Sequence, residues 1–152
     1  LKADFSGWNK VVQTVIELTP VDQCYRWALH DYQPLDRWSS KRVTLLGDAA
    51  HASLPFLASG AAMAIEDARI LQRALEGFDL SNSEMLSQAL DKYQRNRLSR
   101  TARVQKCSRQ AGLLYHLPGR LLRRVAFKAL NMRAGENERF LPEYDANTIP
   151  LV

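Results

Sequence analysis

Residues 43–68, VTLLGDAAHASLPFLASGAAMAIEDA, constrain this chain more than any other stretch. Val43, Thr44, Leu45 and Leu46 form a short uncharged run that reads as a buried strand. The run ends at Gly47, which permits tight backbone geometry, and Asp48 follows immediately. A loop containing Pro55 then leads to Gly60, where an alanine-rich helical pattern opens. Strand, turn, acidic side chain, loop and helix start come in that order. An ionised Asp48 presents two acceptor oxygens, suited to the hydroxyl donors of a sugar-like chain. A charge-assisted bond of this kind contributes about 1.5–3 kcal/mol.

The second half of the stretch supplies the opposite polarity. A helix starting near Gly60 leaves the first N–H groups, at Ala61, Ala62 and Met63, without intrahelical acceptors. With the helix dipole they favour an anionic or electron-rich group. The small side chains let a planar ligand approach the backbone. Asp48 and the turn at Gly60 can therefore grip two parts of one extended ligand, as a nucleotide-type cofactor site requires.

GDAAH, then Pro55, Gly60 and AIEDA at this spacing resemble the second flavin-binding motif of single-component FAD-dependent aromatic hydroxylases, the salicylate hydroxylase-like members above all. The resemblance implies that Gly47 and Asp48 belong to the FAD site, with Asp48 on the ribityl chain. It places Pro55 beside the isoalloxazine ring and the amides from Gly60 through Ala61 to Ala62 at the pyrimidine edge. Phe56 and Leu57 would meet flavin and substrate, and their apolar side chains suit an aromatic ring and exclude water. Phe56 cannot deprotonate a phenol, so no catalytic base is identified. The implied chemistry is reduction of FAD by NADH or NADPH, reaction with dioxygen, and transfer of one oxygen atom to a small aromatic substrate. The protein's part is to position and tune the flavin.

The resemblance matches only the C-terminal part of that family. No G-x-G-x-x-G follows a strand near the start, and the family's upstream Asp-Gly pair is also missing. The chain opens on Leu1 rather than Met, read here as a sign of a fragment or a trimmed chain. The expected fold is α/β, the C-terminal part of an FAD-binding, Rossmann-like monooxygenase fold, mainly helical in this segment with a few strands. Residues 1–36 would end the substrate-binding domain, 37–80 complete the FAD-binding domain, and 81–152 form C-terminal helices and a tail. Alone, such a segment is expected neither to hold FAD tightly nor to turn over. A buried strand near Val43 would also lack sheet neighbours.

Composition limits the alternatives. Hydrophobic residues make up 46% and charged residues 24% of the 152, which argues against disorder. No apolar run reaches the roughly 18 residues of a membrane span, and no leader pattern opens the chain. Cys24 and Cys107 stand in no metal or redox spacing, which fits free thiols and a cytoplasmic setting.

Taken in order, residues 8–18 carry an apolar stripe at helical spacing that Pro20 ends. The aromatic-rich run QCYRWALHD, residues 23–31, suits a sheet strand. Pro34, Asp36 and Ser39-Ser40 mark the connection to a strand near Arg42. Residues 60–76 read as a helix with Ala61, Ala64, Ile65, Ala68, Leu71 and Leu75 on its packed face and Gly77 as its stop. Ser81 to Ser83 offer caps for a long helix over residues 84–115, broken by Pro118-Gly119. A shorter helix follows, with Leu122, Val125, Ala126, Ala129 and Leu130 on one face, and then an irregular tail, FLPEYDANTIPLV.

Three further features have competing readings. From Lys92 to Arg133 there are twelve basic residues and no Asp or Glu, a pattern that an anionic partner such as nucleic acid or lipid could use. The residues are scattered around the helix and carry no reading motif. A solvated face, or pairing with acids elsewhere in a larger protein, is the favoured reading. His51 is read as fixing its loop by hydrogen bonding rather than as an acid or base. Glu66 and Asp67, adjacent on a helix, point in different directions and are read as structural, Glu66 pairing with Arg69 and Asp67 with backbone or an Arg. His30 and His116 lack neighbours that would hold a metal. Beside the flavoprotein reading stand a basic helical binding module for an anionic partner and an oligomerisation helix pair. An oligomer of identical chains is left open.

Overall fold

The computed structural model describes the backbone of residues 1–137 and 141–152 and the side chains outside 129–140. The chain is mainly helical, with one two-stranded sheet among the described residues, as the sequence leads one to expect. Helix α1 spans Lys10–Leu18; Asn9 caps it by accepting the Val11 N–H at 2.9 Å. A single 3₁₀ turn, Val21–Gln23, follows Pro20. Strands β1, Ser39–Ser40, and β2, Val43–Thr44, pair antiparallel with Ser40 opposite Val43. The two-residue turn between them places Lys41 at φ +53°. After the short helix α2, Asp48–His51, and a 3₁₀ turn at Pro55–Leu57 come α3, Gly60–Leu75, and α4, Ser83–Tyr115. Helix α5, Arg120–Asn137, follows Gly119, whose φ of +82° serves the turn.

The core lies between α3 and α4. Ile70 and Ala74 of α3 meet Tyr93 of α4, Trp38 at the hairpin and Ala50 of α2, and Ala146 of the tail closes the cluster. The hairpin docks on α4 by hydrogen bonds. The Gln94 side-chain oxygen accepts the N–H groups of Trp38 and Ser39 at 2.8 and 2.9 Å, and the Ser39 hydroxyl reaches the Leu90 carbonyl. The tail is irregular, as expected, yet it is fastened. Arg73 donates to the carbonyls of Ala146 and Ile149, and Asn96 exchanges hydrogen bonds with Val152.

Several expectations are corrected. Residues 23–31 form no strand: no described segment runs beside them to complete a ladder, and Tyr25 and Trp27 are exposed. The strand at Val43 is only two residues long and is not buried, because its partner is the Ser39–Ser40 hairpin arm rather than a sheet interior; Val43 is 66% exposed. On α3 the buried stripe is Met63, Asp67, Ile70 and Ala74, not the face through Ile65 and Ala68, because α4 packs where Asp67 finds its charged partner. On α5, Leu122 and Val125 are exposed and Ala126 is half-buried. Ala129 and Leu130 lie outside the described side chains.

Candidate functional site

The end of β2 turns at Gly47, whose φ of +60° is a left-handed conformation that a side chain rarely adopts. This turn starts α2, the N–H groups of Ala50 and His51 both returning to the Gly47 carbonyl at 2.9 Å. Asp48, the first residue of α2, is exposed and faces forward. Behind it the turn is braced by a buried carboxylate. Asp67 Oδ2 accepts the Gly47 N–H at 2.9 Å and lies 2.6 Å from His51 Nε2. Its other oxygen accepts from Arg97 Nε at 2.7 Å. A carboxylate is acceptor-only, so His51 carries its proton on Nε2 in this pair.

Arg97 joins α4 to both acids of the α3 pair. Its Nη1 lies 2.8 Å from Glu66 Oε2, and Arg100 Nη2 lies 2.8 Å from Glu66 Oε1. Both guanidinium groups stack over the Tyr144 ring of the tail. Burial alone would raise the Asp67 pKa; the hydrogen bonds from His51 and Gly47 and the Arg97 charge outweigh it and hold the carboxyl below its ordinary value. Burial works against the Arg97 charge, but the charges of Asp67 and Glu66 keep it protonated. Asp67 thus bonds to backbone and to an Arg, and His51 fixes its loop, as the sequence suggested. Glu66 does not pair with Arg69. It pairs across to α4, and Arg69 donates instead to Asn147 and Gln72.

In front of the turn lies a cleft of about 510 Å³, a size within the usual range for small-molecule sites. Asp48 lines one side. Ser53, Leu54, Pro55 and Ala58 form the loop wall, and Gly60, Ala61 and Ala64 form the wall made by α3. Helix α3 opens without a side-chain cap, because the Ser59 hydroxyl donates to the Leu57 carbonyl at 2.9 Å. The Met63 N–H is taken by the Ser59 carbonyl at 2.9 Å, so the amides ahead of the helical ladder are those of Gly60, Ala61 and Ala62. Met63 had been counted among them and is corrected here; it is the fourth helical residue and reaches back to the cap. A Cβ added at Gly60 would meet nothing within 4 Å.

The remaining expected residues sit around this cleft. Gly47 is buried behind Asp48 with its N–H already engaged by Asp67. Ala62 is exposed one residue beyond the cleft wall. Phe56 turns away from the cleft onto the end of α4, edge-on to Tyr115 and His116, and Leu57 beside it is half-buried. Sequence reasoning did not place Ser53, Ala58 or Ala64 at the cleft, and read Ala64 only as part of the packed face of α3. Their only signal was position inside the motif. Among the described residues no group of three His, Cys, Asp or Glu side chains could hold a metal ion. No helix among them is long and apolar enough to cross a membrane.

A carboxylate, an uncapped helix start and small residues between them form a donor set suited to an extended ligand with hydroxyls at one end and an electron-rich ring at the other. The comparisons decide the family. The family model of the FAD binding domain matches residues 5–108, more than half of the chain. The chain belongs to the FAD-binding-domain family. Among its relatives is the 6-hydroxynicotinate 3-monooxygenase of Bordetella bronchiseptica, 44% identical over 71% of this chain and 27% of the relative. Another is the 3-hydroxybenzoate 6-hydroxylase of Polaromonas naphthalenivorans, 45% identical over 68% of this chain and 25% of the relative.

Solved structures agree with this FAD-binding-domain chain along almost its whole length. A salicylate hydroxylase substrate complex superposes with a TM-score of 0.68 and 32% identity, covering 95% of this chain and 34% of that one. Klebsiella pneumoniae HpxO complexed with FAD and uric acid gives a TM-score of 0.72 at 26% identity, covering 94% and 35%. The chain spans between a quarter and about a third of the length of these proteins.

Proposed function

We propose that this chain supplies the second flavin-holding segment of an FAD-dependent monooxygenase that hydroxylates a small, salicylate-like aromatic substrate with dioxygen and NADH or NADPH. One observation carries the reading: Asp48 and the uncapped first turn of α3 line the same cleft. Asp48 would hold the ribityl hydroxyls of FAD. Pro55 would flank the isoalloxazine ring, and the amides of Gly60, Ala61 and Ala62 would face its electron-rich edge. Gly47 would shape the turn from behind. When bound, FAD supplies the redox chemistry that dioxygen activation needs. The chain's own residues bind and orient it, and the positive end of α3 favours negative charge at the ring. Leu57 would form the apolar border toward the aromatic substrate, keeping water away, while Phe56, turned onto α4, would back the loop rather than face the substrate. In this reading residues 1–36 close a substrate domain, and the enzyme works in the cytoplasm.

The test uses a chimera in which this chain replaces the corresponding part of the B. bronchiseptica 6-hydroxynicotinate 3-monooxygenase. Asp48→Ala is expected to weaken FAD binding about tenfold or somewhat more, the loss of one charge-assisted bond of ~1.5–3 kcal/mol. Flavin fluorescence titration reads it, and an unchanged affinity removes Asp48 from the site.

The reading as a basic binding module has one observation in its favour: Arg120, Arg123, Arg124, Phe127 and Lys128 of α5 line a wide groove of about 770 Å³. Against it, Arg97, Arg100 and Arg109 pair with acids of this same chain, Arg109 with Asp31. Salt-sensitive retention on an immobilised polyanion, lost when the four α5 cations become Gln, would favour the module.

A further inference from the structure

The loop from Ala52 to Leu57 carries Pro55 into the cleft, yet no strand pairs with it and its only regular element is one 3₁₀ turn. Its backbone is held from the side away from the cleft, by α4. Gln105 Nε2 donates to the Ala52 carbonyl at 2.9 Å and the Ser108 hydroxyl donates to the Leu54 carbonyl. At Gly112 the Phe56 ring occupies the space that a Cβ would need, far inside van der Waals contact. These three positions are three and four residues apart, so they form one face of the helix. Gln105 and Ser108 are each only 1% exposed. Buried polar groups are retained when they satisfy other buried groups, and here those groups are loop carbonyls.

The same face reaches Asp48. Gln105 Nε2 also donates to the Tyr32 carbonyl at 3.3 Å, and the Tyr32 hydroxyl donates to the Asp48 carbonyl at 2.7 Å. Arg109, one turn further along α4, fastens the same segment through Asp31 and the same Tyr32 carbonyl. One helix therefore backs both the Pro55 loop and the α2 turn.

We propose that Gln105, Ser108 and Gly112 are positioning residues that set the distance between the Pro55 loop and the first turn of α3, and through it the grip on the flavin ring. The proposal rests on the flavin reading above. Gly112 is the decisive member, because its missing side chain lets Phe56 lock the loop. A methyl group there pushes the ring out and frees Pro55, with no change to Asp48 or the α3 amides.

The test has two arms. In the full chain, amide hydrogen exchange is followed by mass spectrometry. Gly112→Ala is expected to speed exchange of residues 53–58 about tenfold while the centre of α3 keeps its protection. Phe56→Leu in the Gly112→Ala background is expected to restore the slow exchange, because the smaller side chain makes room. Gln110→Ala, exposed on the same helix, is expected to change nothing. In the chimera, Gly112→Ala is expected to raise the FAD dissociation constant roughly tenfold. It should also lower the fraction of NAD(P)H consumption that yields hydroxylated product, and Phe56→Leu should recover both. Unchanged loop exchange in Gly112→Ala, or a loss spread over all helices that Phe56→Leu does not reverse, overturns the proposal. A wild-type chimera that holds no FAD overturns the flavin reading instead, and the exchange arm judges the α4 face independently of it.

Discussion

The α3–α4 pair and the first thirty residues treat their apolar side chains in opposite ways. Between the helices, Ile70, Ala74, Tyr93 and Val104 are sealed from water, and the charged residues among them are matched within the chain. In α1 and the segments on either side of it, Trp8, Val11, Val15, Leu18, Val21 and Trp27 are exposed, and no residue of α1 is buried. Both regions have strong apolar patterns. The helix pair finds its partners inside this sequence, whereas the N-terminal stripe has a face that no described residue covers. In the longer relatives, of which the match covers about a quarter, further chain is available to cover such a face.

The widest expected gap between the regions comes from breaking the buried charge cluster. Arg97→Met strips the buried Asp67 of its guanidinium partner and leaves Glu66 to Arg100 alone, and should lower stability by about 3–5 kcal/mol, measured by urea unfolding of the chain. A loss below about 1 kcal/mol would mean that the cluster is not closed in solution.

A second, smaller effect concerns pH. The folded-state pKa of Asp67 is below its ordinary 3.8, so its contribution to stability is complete above that value and is lost as pH falls through the lower folded pKa. The stability difference between the chain and Asp67→Asn should be constant near neutrality and shrink as the solution is acidified past pH 3.8. A difference that stays level through that window would show that the carboxyl is not depressed.

The smallest effect is expected in the other region. Val15→Ser, on the exposed face of α1, should move the unfolding free energy of the isolated chain by no more than about 0.5 kcal/mol. In the chimera, where more of the fold is present to cover that face, the same substitution should cost about 1.5–3 kcal/mol. Equal costs in both contexts would erase the distinction between the two regions.

Much of the local structure could be read from residues that punctuate the chain. Gly47, Gly77 and Gly119 all take positive φ where a turn was expected, and α3 and α4 begin and end within a residue of the expected ranges. The grouping of Asp48, Pro55 and Gly60 around one cleft was equally legible, because all three lie in one motif. The packed face of α3 was not. Its alanine-rich stripe and the stripe through Met63 and Ile70 share the same period, and a charge at position 67 argued against the true one. Asp67 has partners in Gly47, His51 and Arg97, all distant in the sequence, that make its burial tolerable. The strand expected over residues 23–31 failed for a different reason: composition suits a ladder, but a ladder needs a second segment. The bracing of the Pro55 loop by Gln105, Ser108 and Gly112 also escaped, since polar residues and a glycine within a long helix read as a surface.

One guanidinium straddling two neighbouring carboxylates has a consequence for how this sequence can drift. Exchange of Arg97 alone strands the buried Asp67 and leaves Glu66 to Arg100, and loss of either acid alone leaves the cation partly unmatched. Viable lineages are therefore expected to keep Glu66, Asp67 and Arg97 as a set or to replace them together, and a lone change at any of the three should survive only beside a compensating one.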